Sequence, residues 1–408
     1  MTDYSDVIII GGGAAGFFGA INCGIHNPNL KITILEATNQ VLTKVKISGG
    51  GRCNVTHNCF NPRELVNNYP RGEKELRGAF SRFQPQDTIK WFESRGVKLK
   101  TEEDGRIFPI TDDSQTIIDC LVKTAQQLGI KILTKTPVKE INKSELGFNL
   151  ILKSGNILTT KSVLIATGSN PLGYEWAKKL GHSIQSPTPS LFTFKIKDQR
   201  IENLAGISFN NIHLELRIKQ SKKLEQKGAL LITHWGISGP AVLKLSAWGA
   251  RILHENNYNL PLIINWLPEY NLESIKPELN KIKDSVSKQK VINFNQFNLP
   301  KRFWQSLVNY SLSNGDKIWA EMTKKEIEKL AIEITRGEYF IQGKGIFKDE
   351  FVTCGGVTLK EIDFKTMMSK ICPHLYFAGE ILDIDGVTGG FNFQNAWTTG
   401  YLAGIAIR

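Results

Sequence analysis

The chain has 408 residues, 41% of them apolar and 22% charged, which suits a globular protein of two or three domains and excludes a disordered or fibrous one. Its formal net charge of +12 favours polyanionic partners such as RNA, phosphorylated cofactors or acidic lipid headgroups. The six cysteines lack C-x-x-C pairing, the N-terminus is acidic, and no apolar run is long enough to span a bilayer; a cytoplasmic protein without disulfides or a membrane segment is expected.

In chain order, the β-branched run Val7 to Ile10 predicts a strand, Ala14 to Ile25 a helix and Lys31 to Glu36 a second strand, together one βαβ unit. Between the first two, Gly11-Gly12-Gly13-Ala14-Ala15-Gly16 satisfies G-x-G-x-x-G, and Glu36 closes the second strand. Gly11 permits the tight turn, Gly13 lets the backbone approach a pyrophosphate, and Gly16 lets the helix press on the strand. Ala14 and Ala15 open a helix whose free N–H groups favour negative charge. Glu36 can accept from both ribose hydroxyls and would repel a 2′-phosphate.

The next segment, Lys46 to Thr56, contains Gly49, Gly50 and Gly51, which permit backbone contact with a flat ligand. Arg52 and Lys46 supply positive charge beside Cys53, so a thiol there would have its anion favoured and could act as proton donor or nucleophile. Helical patterns follow at 85–96 and 114–129, then strands at 131–133, 138–141, 148–152 and 162–166, with a meander beside the sheet. Val138, heading one of these strands, is grouped with the cofactor contacts, as is the small-residue turn Ala166-Thr167-Gly168.

After the Ser186 to Pro189 break, residues 191–270 alternate as strands do, and 271–335 are Lys-rich with helical spacing. The expected plan is a split Rossmann-type α/β domain (1–190 and 336–408), with a β-barrel-like domain and a small helical subdomain inserted. Near the end, Leu375 to Ala378 reads as a strand leading to Gly379, Glu380 and Asp383, where a flavin's ribitol or pyrophosphate would run. Gly389, Gly390, Phe391 and Asn392 then open the closing helix, whose N-terminus would stabilise an anionic reduced flavin. Three such turns after three strands point to FAD. Cys354, in a Cys-Gly-Gly run, is an alternative proton donor. No cluster has metal-ligand spacing.

Ser48 to Asn54 (SGGGRCN), Glu103 to Pro109 (EDGRIFP), Thr233 to Pro240 (THWGISGP) and Gly379 to Gly386 (GEILDIDG) resemble the BaiN/RdsA family of flavoproteins over essentially the whole chain. The resemblance implies FAD, a two-part FAD domain interrupted by β-barrel and helical insertions, and reduction of an activated carbon–carbon double bond. Members are described as dihydrouridine synthases of large-subunit ribosomal RNA, as bile-acid reductases, or as aminoacetone oxidases.

The leading expectation is reduction of uridine in rRNA with NADPH or NADH as transient electron donor. The basic run Lys195, Lys197, Arg200, Arg217, Lys219, Lys222, Lys223 and Lys227, then Lys281, Lys283, Lys288 and Lys290, would contact phosphates. Trp235, Trp248, Phe294 and Phe297 could stack on bases. The alternatives are a small-molecule ene-reductase or oxidase, and a non-catalytic flavin-containing RNA-binding protein. A thiol–disulfide reductase ranks below these, because five residues separate Cys53 from Cys59 and no second nucleotide loop is visible. Nothing in the residues sets the oligomeric state.

Overall fold

The computed structural model describes residues 3–218, 223–312, 315–345 and 352–408. Lys219 and Lys222 of the basic run, with 313–314 and 346–351, lie outside them. The chain divides into one unit of 1–188 with 352–408 and a second of 189–351.

The first unit is built on five parallel strands: β1 (Asp3–Ile10), β2 (Ile32–Leu35), β3 (Lys131–Leu133), β4 (Ile157–Ile165) and β5 (Leu375–Phe377), ordered β5-β4-β1-β2-β3. Ile8, Ile9, Ile34, Leu164 and Ile165 are fully buried, as β-branched and aliphatic strands covered on both faces should be. Helix α1 (Ala14–His26) connects β1 to β2 and packs against the closing helix α2 (Phe391–Ala406) through small residues. A Cβ on Gly404 would lie 2.5 Å from the Gly19 carbonyl oxygen, so only glycine allows this approach.

The meander is present, and its third strand is β4 itself: Ile157 to Thr160 pairs antiparallel with the meander on one side, while Leu158 to Ile165 runs parallel to β1 on the other. A three-stranded sheet not expected from periodicity joins Thr56–His57, Arg106–Pro109 and Leu99–Thr101.

The second unit holds a six-stranded antiparallel sheet in the order Phe194–Lys195, Gly236–Ser238, Leu224–Thr233, Ser208–Leu216, Asn259–Asn265, Gly337–Gln342. The end strands approach each other, with the Lys195 N–H donating to the Gly343 carbonyl at 2.9 Å, so the sheet is nearly a closed barrel. The boundaries differ from expectation in two respects. The β-rich and helical segments share one core, with Leu214, Leu230 and Ile264 from strands against Leu279, Phe303, Leu307 and Ile334 from helices. The segment after 336 supplies this sheet's last strand instead of resuming the dinucleotide fold, because its alternating face (Tyr339 and Ile341 buried, Glu338 and Phe340 exposed) completes that core.

Candidate functional site

Parallel pairing places the C-terminal ends of four strands side by side: Ile10 is in register with Leu35 and with Ile165, and Ile165 with Phe377. The residues that follow them, Gly11, Glu36, Ala166 and Ala378, therefore form one crest, where open α/β sheets hold their ligands. Gly11 turns with φ +112°, and a Cβ there would meet the Ala166 carbonyl oxygen at 2.4 Å. On Gly16 a Cβ would come within 2.0 Å of the Gly11 carbonyl oxygen. Gly13 is different: an added Cβ meets nothing within 4 Å, so its smallness serves no contact within the protein.

The N–H groups of Ala14, Ala15 and Gly16 open α1 with no acceptor among the described residues, and Gly13 offers no side-chain cap. Glu36 accepts from the Gly12 N–H (3.0 Å) through one oxygen and from the Thr38 N–H (2.8 Å) and hydroxyl (2.9 Å) through the other. The carboxylate is thus held in place while lone pairs remain for a diol. Thr136 donates its N–H to the Glu36 carbonyl at 2.9 Å; Val138, two residues on, is buried and pairs with Leu152 in the meander. Bare helix-end donors, an open approach at Gly13 and an anchored acid fit the pyrophosphate and ribose of a dinucleotide.

At the other end, the Glu380 carboxylate approaches Gly168, where a Cβ would stand 3.4 Å from its Oε2, and a Cβ on Gly379 would meet Ala15 of α1 at 2.8 Å. Glu380 accepts from the Thr353 N–H at 3.0 Å and pairs with Lys44 at 2.5 Å, and Lys44 also reaches the Ser169 hydroxyl at 3.5 Å. Sequence reasoning named Lys46 and missed Lys44. The two lie on opposite sides of the short helix Thr43–Ile47, and only Lys44 turns to the site; Lys46 is exposed and uses its carbonyl to accept from the Ser114 hydroxyl at 2.8 Å.

The N-terminus of α2 is built with care. Asn54 places its side-chain amide between the Thr56 carbonyl (3.0 Å) and the Gly390 N–H (2.9 Å). Gly390 (φ +91°) has no room for a Cβ, which would fall 2.6 Å from the Thr56 carbonyl oxygen. Buried Gln394 accepts from Thr56 (2.6 Å) and Thr88 (2.9 Å) and donates to Thr398 (3.0 Å). Tyr69 donates to the Phe391 carbonyl at 2.7 Å, and Arg71 grips the fully buried Asp385 with two nitrogens. The Asn392 side chain is committed to both the N–H (2.8 Å) and carbonyl (2.9 Å) of Gly386, which leaves its backbone N–H as the group it can offer a cofactor. The N–H groups of Phe391, Asn392 and Phe393 have no acceptor among the described residues. His57 stacks on Phe391 at 4.7 Å. Gly389 lies beside it, and Asp383, also expected in the site, is buried with its N–H on the Val357 carbonyl at 3.1 Å.

Gly50 and Gly51 leave open space where a Cβ would be, as a surface for a flat ring requires, whereas Gly49 packs on Phe108 and Asn54. The charge expected beside Cys53 is absent. The Arg52 guanidinium pairs with Glu102 (2.6 Å) and Asp112 (3.4 Å) and lies 4.0 Å over Phe108, all supplied by the EDGRIFP hairpin and its flanks. Cys53 is fully buried, and burial pushes its thiol up to about 12, with the Ser48 hydrogen bond opposing. It is therefore a neutral, enclosed thiol, not an activated one. Cys354 is also fully buried, in the strand Val352–Val357.

Among the described residues, no group of three or more His, Cys, Asp or Glu side chains is placed to hold a metal, and no helix is long and apolar enough to cross a membrane.

The crest, the bare helix ends and the three turns define a Rossmann-type, FAD-binding flavoprotein fold. Solved structures agree at the level of fold: the 3-ketosteroid Δ4-(5α)-dehydrogenase of Rhodococcus jostii RHA1 superposes with a TM-score of 0.52 at 14% identity, covering 99% of this chain and 97% of that one. The chain belongs to the family described as HI0933-like protein Rossmann domain, whose model matches residues 5–406; this is a family of FAD-dependent oxidoreductases. It is 31% identical over 424 residues to a ribosomal RNA dihydrouridine synthase of Haemophilus influenzae, covering 100% of this chain and 99% of that protein. It is 28% identical over 407 residues to a 3-dehydro-bile acid delta(4,6)-reductase of Clostridium scindens, covering 98% of each.

Proposed function

We propose that this protein reduces the C5–C6 double bond of a uridine in large-subunit ribosomal RNA, with NADPH or NADH as electron donor. The observation that carries this is end-to-end similarity to the Haemophilus enzyme. Charge supports it: residues 189–351 contain 24 Lys and Arg against 17 Asp and Glu, a basic surface suited to phosphates.

FAD, held by the crest residues, would deliver hydride to uracil C6, which the C4 carbonyl makes electrophilic. The chain's own task is positioning. Gly13 and the N–H groups of Ala14 to Gly16 would take the pyrophosphate, and Glu36 the ribose. Glu380, oriented by Lys44 and Thr353, would meet the ribitol hydroxyls. The N–H groups of Phe391 to Phe393 would face the pyrimidine edge, where they favour negative charge. Cys53 and Cys354, being enclosed, are assigned to packing, so the proton for C5 comes from another group or from water.

A second reading is favoured by the Clostridium relative: an ene-reductase of a small enone. The chemistry is shared, since both substrates are double bonds conjugated to a carbonyl. Purified FAD-loaded protein, NADPH or NADH, and rRNA or subunits from a strain lacking the gene should yield one uridine bearing two added hydrogens by mass spectrometry. No gain on RNA, with turnover of enones, moves the assignment to the ene-reductase. No nicotinamide turnover with either substrate leaves a non-catalytic RNA-binding flavoprotein.

A further inference from the structure

We propose that the barrel rim around Trp235 is the docking surface for single-stranded RNA, Trp235 stacking on a base while Lys195, Lys197 and Lys344 meet the adjoining phosphates. This inference rests on the RNA reading above and adds the place of contact.

Of the four aromatics that could stack on bases, Phe294 and Phe297 pack against the core and Trp248 is half-buried, whereas Trp235 is 37% exposed. It sits in the tight turn between the strands Leu224–Thr233 and Gly236–Ser238, and it is held rather than loose. Its indole N–H donates to the Thr193 hydroxyl at 3.2 Å, its carbonyl accepts from the Ile196 N–H at 3.0 Å, and a Cβ on Gly345 would stand 3.1 Å from the indole nitrogen. A ring fixed along one edge loses little freedom when a base stacks on its face.

The same register gathers positive charge. Lys195 is opposite Gly236, its stem lies 3.8 Å from where a Gly343 Cβ would be, and Lys344 is bridged to Phe194. The Lys344 ammonium stands 5.8 Å from the half-buried Tyr258 ring, a second aromatic on this rim. Lys195 and Lys197 make no ion pair among the described residues. The nearest carboxylate in sequence, Asp198, is neutralised by Arg200 at 2.6 Å. By contrast Lys276, Lys281, Lys290 and Lys317 of the helical side are each paired with an acid. Lys195 and Lys197, without an ion pair among the described residues, flank a fixed, exposed indole and match the alternation of charge and flat ring in a single strand.

The test is fluorescence anisotropy of a labelled oligouridylate with FAD-loaded protein and no nicotinamide. Trp235→Ala should weaken binding about tenfold while Trp235→Phe, which keeps a ring, stays within about threefold. Lys195→Gln with Lys197→Gln should weaken it about tenfold and reduce the slope of log affinity against log salt by about 1.4, the value for two lost single-strand phosphate contacts. The control, Lys324→Gln with Lys325→Gln, removes equal charge elsewhere and should change affinity by less than about twofold. Wild-type affinity in Trp235→Ala, or equal weakening in the control, overturns the docking surface. The two readings separate cleanly: rim-dependent binding with no reduced uridine in rRNA sinks the activity alone, and reduced uridine with an indifferent rim sinks the surface alone.

Discussion

Gly11 and Gly13 occupy the same loop for opposite reasons, and the difference is measurable. Gly11→Ala forces a Cβ into the Ala166 carbonyl at a φ of +112°, so the apo protein should lose about 2 kcal/mol or more in urea denaturation. Gly13 has φ −92° and open space at its Cβ. Gly13→Ala should therefore leave apo stability within about 0.5 kcal/mol yet weaken FAD binding at least about tenfold by flavin fluorescence, since a methyl group intrudes on the pyrophosphate. Normal FAD affinity in Gly13→Ala would contradict the placement of the cofactor. Cys53 makes the complementary case: enclosed and neutral, it cannot reach a substrate. Stopped-flow traces of flavin reoxidation by substrate should give Cys53→Ala a rate within about threefold of wild type, where loss of a true general acid costs about a hundredfold or more.

At the scale of elements, buried polar links tie segments together across long stretches of chain. Gln394 joins α2 to Thr56 and Thr88, and Arg71 with Asp385 fastens the loop before α2. His182 does the same for the antiparallel pair Ile362–Asp363 and Met368–Ser369 at the sheet edge: its Nδ1 donates to Glu361 at 2.9 Å and its Nε2 accepts from Ser369 at 2.8 Å, while the Ser369 oxygen accepts from the Ile371 and Cys372 N–H groups. Burial lowers the His182 pKa, with Glu361 opposing, so the folded imidazole stays neutral. The unfolded chain takes up a proton near pH 6.5 that the folded chain refuses, so this contribution is complete above about pH 7 and is lost as pH falls through about 6.5 and below. Urea midpoints should therefore drop between about pH 7 and pH 5, and His182→Gln should flatten that drop; an unchanged profile would mean that His182 does not titrate on unfolding.

Over the whole molecule, the two proposed binding tasks would rest on different forces. FAD would be held by N–H donors, glycine turns and two anchored acids in the unit 1–188 with 352–408. RNA would be held by the charge of 189–351. Raising salt from about 50 to 200 mM should thus weaken oligouridylate binding about tenfold or more and FAD binding by less than about threefold. Equal salt sensitivity in the two titrations would show that FAD is held mainly by charge.

The sequence alone determined the βαβ unit, the crest glycines and the acid at Glu36, because these depend on spacing within a few turns of chain and on conformations open mainly to glycine. The family resemblance lay in four short motifs for the same reason. What tertiary structure decided was every pairing between distant residues: Arg52 with Glu102 and Asp112, Lys44 in place of Lys46, the enclosure of Cys53, Asn392 turned to Gly386, and the strand Gly337–Gln342 joining the barrel. A charge or thiol in sequence has no environment until folding supplies one. Desolvation and the nearest opposite charge then set what that side chain does.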